Sequence, residues 1–422
     1  MLSFVNILIL IAFCFFIIKS FKQSLILITS TFFLIAQWGS GFGEVRMFPA
    51  LILFSWVIFL IKISRHEIVL KYKYPKTFLL GSVFVAICYL ITAVHAKRGD
   101  LATTIVNLIC YFVFPFMLWH CLDTEKRLRK LLKYLKVLFL IAAVYTVIEV
   151  LLGSNPLNVF AINMGLLGGT HMDSEGGSIR FGFVRCFSIF PYVSAMGFWA
   201  TYSFLLFYFS KYVYKQYNQK KLLFLLIMMP VCSILSGTRS VILTFFLCFA
   251  LLFLDKRLYK SSLFKYVVLG VFVAAFFLMP FIDSLINSIV DTQSVGGSSQ
   301  ELRLNQLEIA YMYMQQSPIW GNGRLYTWNY AIPNTPALMG AESIWFQLMI
   351  DYGCMGCLSF IVLLLCVGYE LQKRDRFLLL FPLAFLVSKS LSAIIGVDFN
   401  ALLVFSLILI KMNQYSINIS KL

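Results

Sequence analysis

One pattern constrains this chain more than any motif does: apolar runs, each close to the thickness of a bilayer, follow one another along most of its length. They cover about 2–18, 23–38, 48–63, 77–95, 100–120, 131–152, 187–209, 222–237, 240–255, 263–282, 342–369, 377–394 and 398–411. Crossing the hydrocarbon takes about 20 helical residues, and several runs fall short, so about 12–13 spans are expected. None shows the alternation of a barrel strand, and lipid offers backbone groups no hydrogen bonds, which leaves helices. The expected fold is an all-α polytopic membrane protein with a single integral membrane domain over 1–422. Hydrophobic residues make up 60% and charged residues 13%, with a mean hydropathy of +0.86, which excludes a soluble globular chain. Residues 2–18 lack a basic start and read as a first span rather than a cleavable signal.

A net charge of +17 would suit a nucleic-acid binder, but its placement argues otherwise. One alternate set of loops, with the tail, holds 26 of the 35 Lys and Arg, so that set is expected to be cytoplasmic. No nucleic-acid partner is expected. Two long loops, 153–186 and 283–341, then face outward. The outward cations are Arg46, Lys97, Arg98, Arg180, Arg185, Arg239, Arg303, Arg324 and Lys389, seven Arg among nine, against six Arg among the 26 on the other side. Charge bias alone is indifferent to that choice, whereas the planar guanidinium fork matches phosphate oxygens. An outward surface whose few cations are arginines suggests a phosphate-bearing ligand. For any single one of them, snorkelling or pairing with a nearby acid is the plain alternative.

The outward segments carry the polar chemistry. Ser298-x-x-Glu301 is a capping-box pattern that predicts an amphipathic helix over about 299–317, with Leu304, Leu307, Tyr311 and Met314 as its apolar stripe. Pro318 stops it, and Gly321-Asn322-Gly323 supplies a turn. Arg303 falls in the first turn, where a cation opposes the helix dipole unless an anion joins it. Glu342 opens the next apolar run, either as a residue suited to a helix start or as a base at the membrane edge. Asp351, nine residues on, stands inside that run, where an acid needs a partner or a wet cavity. Ser236-Gly237-Thr238-Arg239 is a short hairpin that would hold Arg239 rigidly, and Arg185 marks the descent from the Gly-rich 153–186 loop. The Cys residues read as small core residues rather than a disulfide framework. There is no P-loop or D-x-D pair, and the four His are widely scattered, so no metal or cofactor is expected. An activated sugar would have to come from a lipid carrier.

These pieces resemble the O-antigen polymerase and O-antigen ligase family. The resemblance rests on the Ser236–Arg239 hairpin, Arg185-x-x-Ser188-x-Phe190-Pro191, the Arg303 helix running into Pro318-x-x-Gly321-x-Gly323, Ala341-Glu342-Ser343, and Gly353-x-x-Gly356. It is specific over about 180–360. It implies a GT-C-type glycosyltransferase in the bacterial inner membrane, acting at the periplasmic face on undecaprenyl-pyrophosphate-linked oligosaccharides. A chain-length regulator is a further candidate partner. Ligases of the family usually carry a His in the large loop. Here 283–341 has none and Glu342 stands near that place, which favours the polymerase. On this reading Glu342 is the base, and Arg239, Arg303 and Arg185 stabilise the leaving diphosphate. Arg46, Arg180 and Arg324 are secondary anion-binding candidates, and Tyr311, Trp320 and Tyr326 are candidates to stack on sugars. A ligase, or a polysaccharide transporter with its chemistry at the midplane, is the alternative.

Overall fold

The computed structural model of the protein describes residues 2–38, 47–70, 73–96, 100–163, 179–180, 183–190, 193–214, 220–259, 300–338, 343–391 and 397–419. Among them the secondary structure is helical apart from one antiparallel pair of two-residue strands, Ile179–Arg180 and Phe183–Val184. Among the described residues, five helices are long and apolar enough to cross a membrane: Met47–Ser64, Lys76–His95, Leu101–Cys121, Glu125–Leu152 and Ile344–Gln372. Leu222–Leu235 and Arg239–Leu252 are shorter apolar helices. The chain is thus an all-α, multi-pass membrane protein. The run at 263–282 lies outside the described residues.

Two compact units divide the chain. The first comprises Met1–Tyr74, Ile109–Tyr259 and Gly396–Leu422. Its longest helix, Glu125–Leu152, starts at the N-cap Thr124, whose side chain accepts from the Arg127 N–H, and ends at Gly153 in the left-handed region. Such a residue after the last turn satisfies a free carbonyl at little steric cost. Beside it, Lys220–Leu235 packs along Val193–Tyr208. Gly197 permits the close approach: a Cβ there would lie 2.5 Å from the Ser236 hydroxyl oxygen. In the apolar run predicted from residue 187, the described helix is Val193–Tyr208, and Arg185–Phe190 forms an irregular turn.

The second unit comprises Pro75–Leu108 and Lys260–Ile395. Lys76–His95 packs along Ile344–Gln372. Gly81 admits Leu363, the Tyr89 and Tyr352 rings stack at 3.8 Å, and the Thr77 hydroxyl meets Glu370 at 2.6 Å. A helix runs over Gln300–Gln315, and its buried face is Gln306, Ile309 and Ala310. Ile309 and Ala310 pack with Ala331, Leu338, Phe346 and Ile350 in a small core, and the Gln306 amide donates to the Ala337 carbonyl. The stripe read from the sequence does not make that contact: Leu304, Leu307 and Tyr311 are exposed. Apolar residues occupy both faces of this helix, and spacing alone cannot say which one packs.

Ile344–Gln372 is not one straight span. Gly353 has φ 63 and ψ −159, and the axis folds sharply there. Residues fifteen apart on a straight helix are about 22 Å apart, at about 1.5 Å per residue. The Trp345 and Phe360 rings are 5.7 Å apart. The stretch from Cys354 to Gln372 is about 28 Å long by itself, enough to cross. Ile344–Tyr352 is a separate half-helix, capped by Ser343. Cys354 and Cys357, spaced C-x-x-C just past the break, are both free, with Cys354 exposed. The reading of the Cys residues as core overlooks that pair.

Candidate active site

In the first unit, two of the candidate arginines converge on one hairpin. Gly237 (φ 60) makes the turn and has no side chain, so the Arg185 stem lies across it; a Cβ would sit 2.8 Å from Arg185 Cγ. Arg185 Nε donates to the Ser236 carbonyl at 3.2 Å and Nη2 to Thr238 Oγ1 at 3.3 Å. Thr238 is the N-cap of the helix that begins at Arg239. Arg239 is half-buried. Its backbone is therefore fixed at a helix start, where free N–H groups also favour an anion.

Behind this hairpin stands a buried acid. Glu149, buried near the end of Glu125–Leu152, accepts from the Phe187 N–H at 2.9 Å and the Ser188 N–H at 2.6 Å. Ser188 has φ 54, a conformation costing about 1–2 kcal/mol for an L residue, so its surroundings must hold it. Three side-chain contacts do so: Glu149, Asn155 Nδ2 on the Ser188 carbonyl at 2.8 Å, and the Ser188 hydroxyl on the Ala142 carbonyl at 2.7 Å. The Cys186 N–H donates to the Leu235 carbonyl, tying the same turn to the hairpin.

The second unit repeats this logic with backbone. Breaking Ile344–Gln372 at Gly353 frees carbonyls on one side and N–H groups on the other, and the 317–324 loop takes both. Asn322 and Gly323 N–H groups donate to the Ile350 and Asp351 carbonyls at 3.0 Å each, and Cys354 and Met355 N–H groups donate to the Pro318 and Ile319 carbonyls. Gly321 (φ 74) and Gly353 make the approach feasible: a Cβ on Gly321 would lie 2.4 Å from the Asp351 backbone, and one on Gly353 2.7 Å from Gly321 N. The splice pairs two of the carbonyls and two of the N–H groups that the break frees, as irregular backbone at membrane depth requires. This accounts physically for Gly321 and Gly353 in the two patterns, while Gly356 gives room to Tyr352, whose Cβ would lie 2.2 Å from one on Gly356.

Asp351 supplies the partner question left by the sequence. It is buried at the bend, and its carboxylate accepts from the Leu325 N–H at 3.0 Å, the Thr327 N–H at 2.8 Å and the Thr327 hydroxyl at 2.7 Å. Leu325 has φ 59. Arg324 is thus flanked by two residues tied to Asp351, Gly323 through the Asp351 carbonyl and Leu325 through the carboxylate. Near Arg324 lies Asp100. Thr103, donating from both hydroxyl and backbone N–H, holds the Asp100 carboxyl below its usual range, and the Arg324 charge adds to this.

Residues 223–361 match the family model described as O-antigen ligase. The match covers 139 of the 422 residues, and this segment is similar to that family. Members are membrane glycosyltransferases of the bacterial inner membrane, acting on undecaprenyl-linked glycans as polymerases or ligases. No curated protein matches the chain. The O-antigen ligase segment holds Arg239, Arg303, Arg324, Glu342 and the splice at Gly353; Arg46, Arg180 and Arg185 precede it.

The remaining candidates divide plainly. Glu342 and Arg46 lie outside the described residues, as does Ser298 of the capping box. Arg180 belongs to the first strand of the two-residue pair, five residues before Arg185. Arg303 is half-buried in the first turn of Gln300–Gln315. Tyr311 is exposed. Trp320 is half-buried, and its carbonyl accepts from Thr92. Tyr326 is engaged in packing: its ring lies 4.8 Å from Tyr330 and 6.1 Å from Tyr313, and its hydroxyl donates to Gln316. Glu149 and Asp351 were not among the candidates. The only sequence signal for them was an acid inside an apolar run.

Proposed function

We propose that this protein is a polysaccharide polymerase of the O-antigen type. It transfers a growing glycan from undecaprenyl pyrophosphate to a lipid-linked repeat unit at the periplasmic face, with inversion. The observation that carries the reading is the rigid seating of Arg185 and Arg239 on one hairpin and of Arg324 on a spliced loop, within and beside a segment of glycan-transferase ancestry. The departing group is a diphosphate, so the transition state needs stabilisation of negative charge at the leaving side, and preorganised guanidinium groups supply it without reorganising during the reaction. Arg239, Arg303 and Arg185 take that role, with Arg46, Arg180 and Arg324 as further anion-binding groups. Glu342, directly before the N-cap Ser343, removes the proton from the acceptor hydroxyl. That oxygen then attacks the anomeric carbon from the face opposite the diphosphate through an oxocarbenium-like state. Tyr311 and Trp320 line the glycan path. The His-free 283–341 loop favours polymerase over ligase.

A positioned base contributes roughly a hundred- to ten-thousand-fold. Glu342→Gln in a deletion strain of the parent organism is expected to abolish long glycan chains while the protein remains in the membrane. Normal chain lengths would remove Glu342 from the reaction. The deletion strain itself separates the classes. Single-repeat caps mark a polymerase, uncapped acceptor with accumulated lipid-linked polymer marks a ligase, and repeat units trapped on the inner leaflet mark a transporter.

A further inference from the structure

Among the described residues, three that are not glycine adopt positive φ: His66, Ser188 and Leu325. Two of these three donate their N–H to a buried helix carboxylate, Ser188 to Glu149 and Leu325 to Asp351. Each carboxylate takes a second backbone N–H from the same turn, at Phe187 and Thr327. Each turn carries one of the candidate arginines, Arg185 or Arg324. Strained backbone persists only where surrounding bonds over-determine it, and it collects where geometry has a use. A carboxylate bonded to two N–H groups offers a buried turn more than a neutral acceptor can, since hydrogen bonds to an ionised group are the stronger kind.

We propose that Glu149 and Asp351 are positioning residues for glycan transfer, each clamping a left-handed turn within its own unit so that the arginine of that turn, Arg185 or Arg324, is held ready for a diphosphate of a lipid-linked glycan. Neither acid touches substrate. The proposal rests on the functional reading above, and it adds two residues to that site which act through their arginines. In both units the acid sits on a helix, Glu149 near the end of Glu125–Leu152 and Asp351 at the end of the half-helix Ile344–Tyr352, while the arginine sits on the irregular segment that helix supports. The helix is the rigid part, and the carboxylate transmits its position to the turn.

The test uses full-length protein in detergent with undecaprenyl pyrophosphate as the probe, its affinity measured for single and paired variants. Glu149→Gln keeps the shape but sets an amide NH2 against one of two N–H donors; Asp351→Asn does the same. Charge-assisted bonds to phosphate are the strong class, so each arginine-to-alanine change is expected to weaken binding about tenfold or more. Each acid variant should weaken it to a similar extent. The decisive result is non-additivity. Glu149→Gln should add no further loss to Arg185→Ala, yet keep its full effect in Arg324→Ala, and Asp351→Asn should show the reverse pattern. Losses that add in full within each matched pair overturn the proposal, as does unchanged affinity in both acid variants. Unchanged affinity in Arg185→Ala and Arg324→Ala would instead remove the arginines from the diphosphate site, a failure of the functional reading itself. Should an acid variant fail to reach the membrane, Asn155→Ala and Thr327→Val replace it. Each loosens the same turn while leaving the carboxylate, and the same pairing rule decides.

Discussion

Two turns in this protein, 185–190 in the first unit and 323–327 in the second, are held by the same device and closed by different ones. In both, a buried acid near a helix end accepts two backbone N–H groups and keeps a residue left-handed. The first turn is then closed by side chains. Arg185 lies over Gly237 and donates to the hairpin, while Asn155 and the Ser188 hydroxyl complete the cage. The second is closed by backbone, with the loop at 317–324 hydrogen-bonded across the break at Gly353. Side chains can shift by a few tenths of an ångström; backbone atoms belonging to a helix cannot. The second turn should therefore tolerate less.

The largest expected effect follows from that difference. Gly321→Ala puts a Cβ against immovable backbone at positive φ, so left-handed strain of about 1–2 kcal/mol joins about 1–3 kcal/mol of overpacking. Gly237→Ala meets the flexible stem of Arg185 and should carry mainly the strain, about 1–2 kcal/mol. Thermal unfolding in detergent compares the two, and equal losses would erase the distinction between the turns. Next come the acids. Asp351→Asn and Glu149→Gln each leave a buried N–H without its acceptor, a loss of about 1–3 kcal/mol, and matched values would show the two clamps to be equivalent. Asn155→Ala is smaller, about 1 kcal/mol for one neutral hydrogen bond, read by the same melting experiment.

The smallest effect concerns pH. Burial pulls the Asp123 carboxyl up, but hydrogen bonds from Lys22 and Arg127 outweigh it, and its folded pKa lies below the usual one. Asp100 is likewise lowered, by Thr103 first and with Arg324 contributing. A depressed carboxylate stabilises the fold above its unfolded pKa of about 3.9 and loses that contribution as pH falls through the folded value. Melting temperature should thus be insensitive to these two groups from neutrality to about pH 5 and fall below it. Asp123→Asn should flatten that acidic limb. An unchanged limb would show that the Lys22–Asp123–Arg127 cluster contributes nothing measurable.

Much of the fold was legible because transfer into lipid is a local sum over each run of residues. The run opening at 342 and the helix near 300 were readable in this way, as was the turn at Gly321–Gly323. The packed face of Gln300–Gln315 was not, since Leu304, Leu307 and Tyr311 keep the same spacing as a packed row yet stay exposed. Nor was the break inside Ile344–Gln372. Glycine is common in membrane helices, and nothing in Ile350–Met355 distinguishes a tolerated glycine from a hinge. Arg185 and the hairpin were both singled out by residue type, but their contact spans about fifty residues of chain and became visible only in three dimensions.

By itself the sequence determined the class of molecule: a helical, multi-pass membrane chain. Hydropathy and charge act residue by residue, so they survive being read along a line. Tertiary structure decided where a spanning helix breaks, which loop repairs it, and which two acids hold the turns beside Arg185 and Arg324. Those outcomes depend on hydrogen-bond partners far apart in the chain, and a buried donor takes whichever acceptor the fold brings within reach.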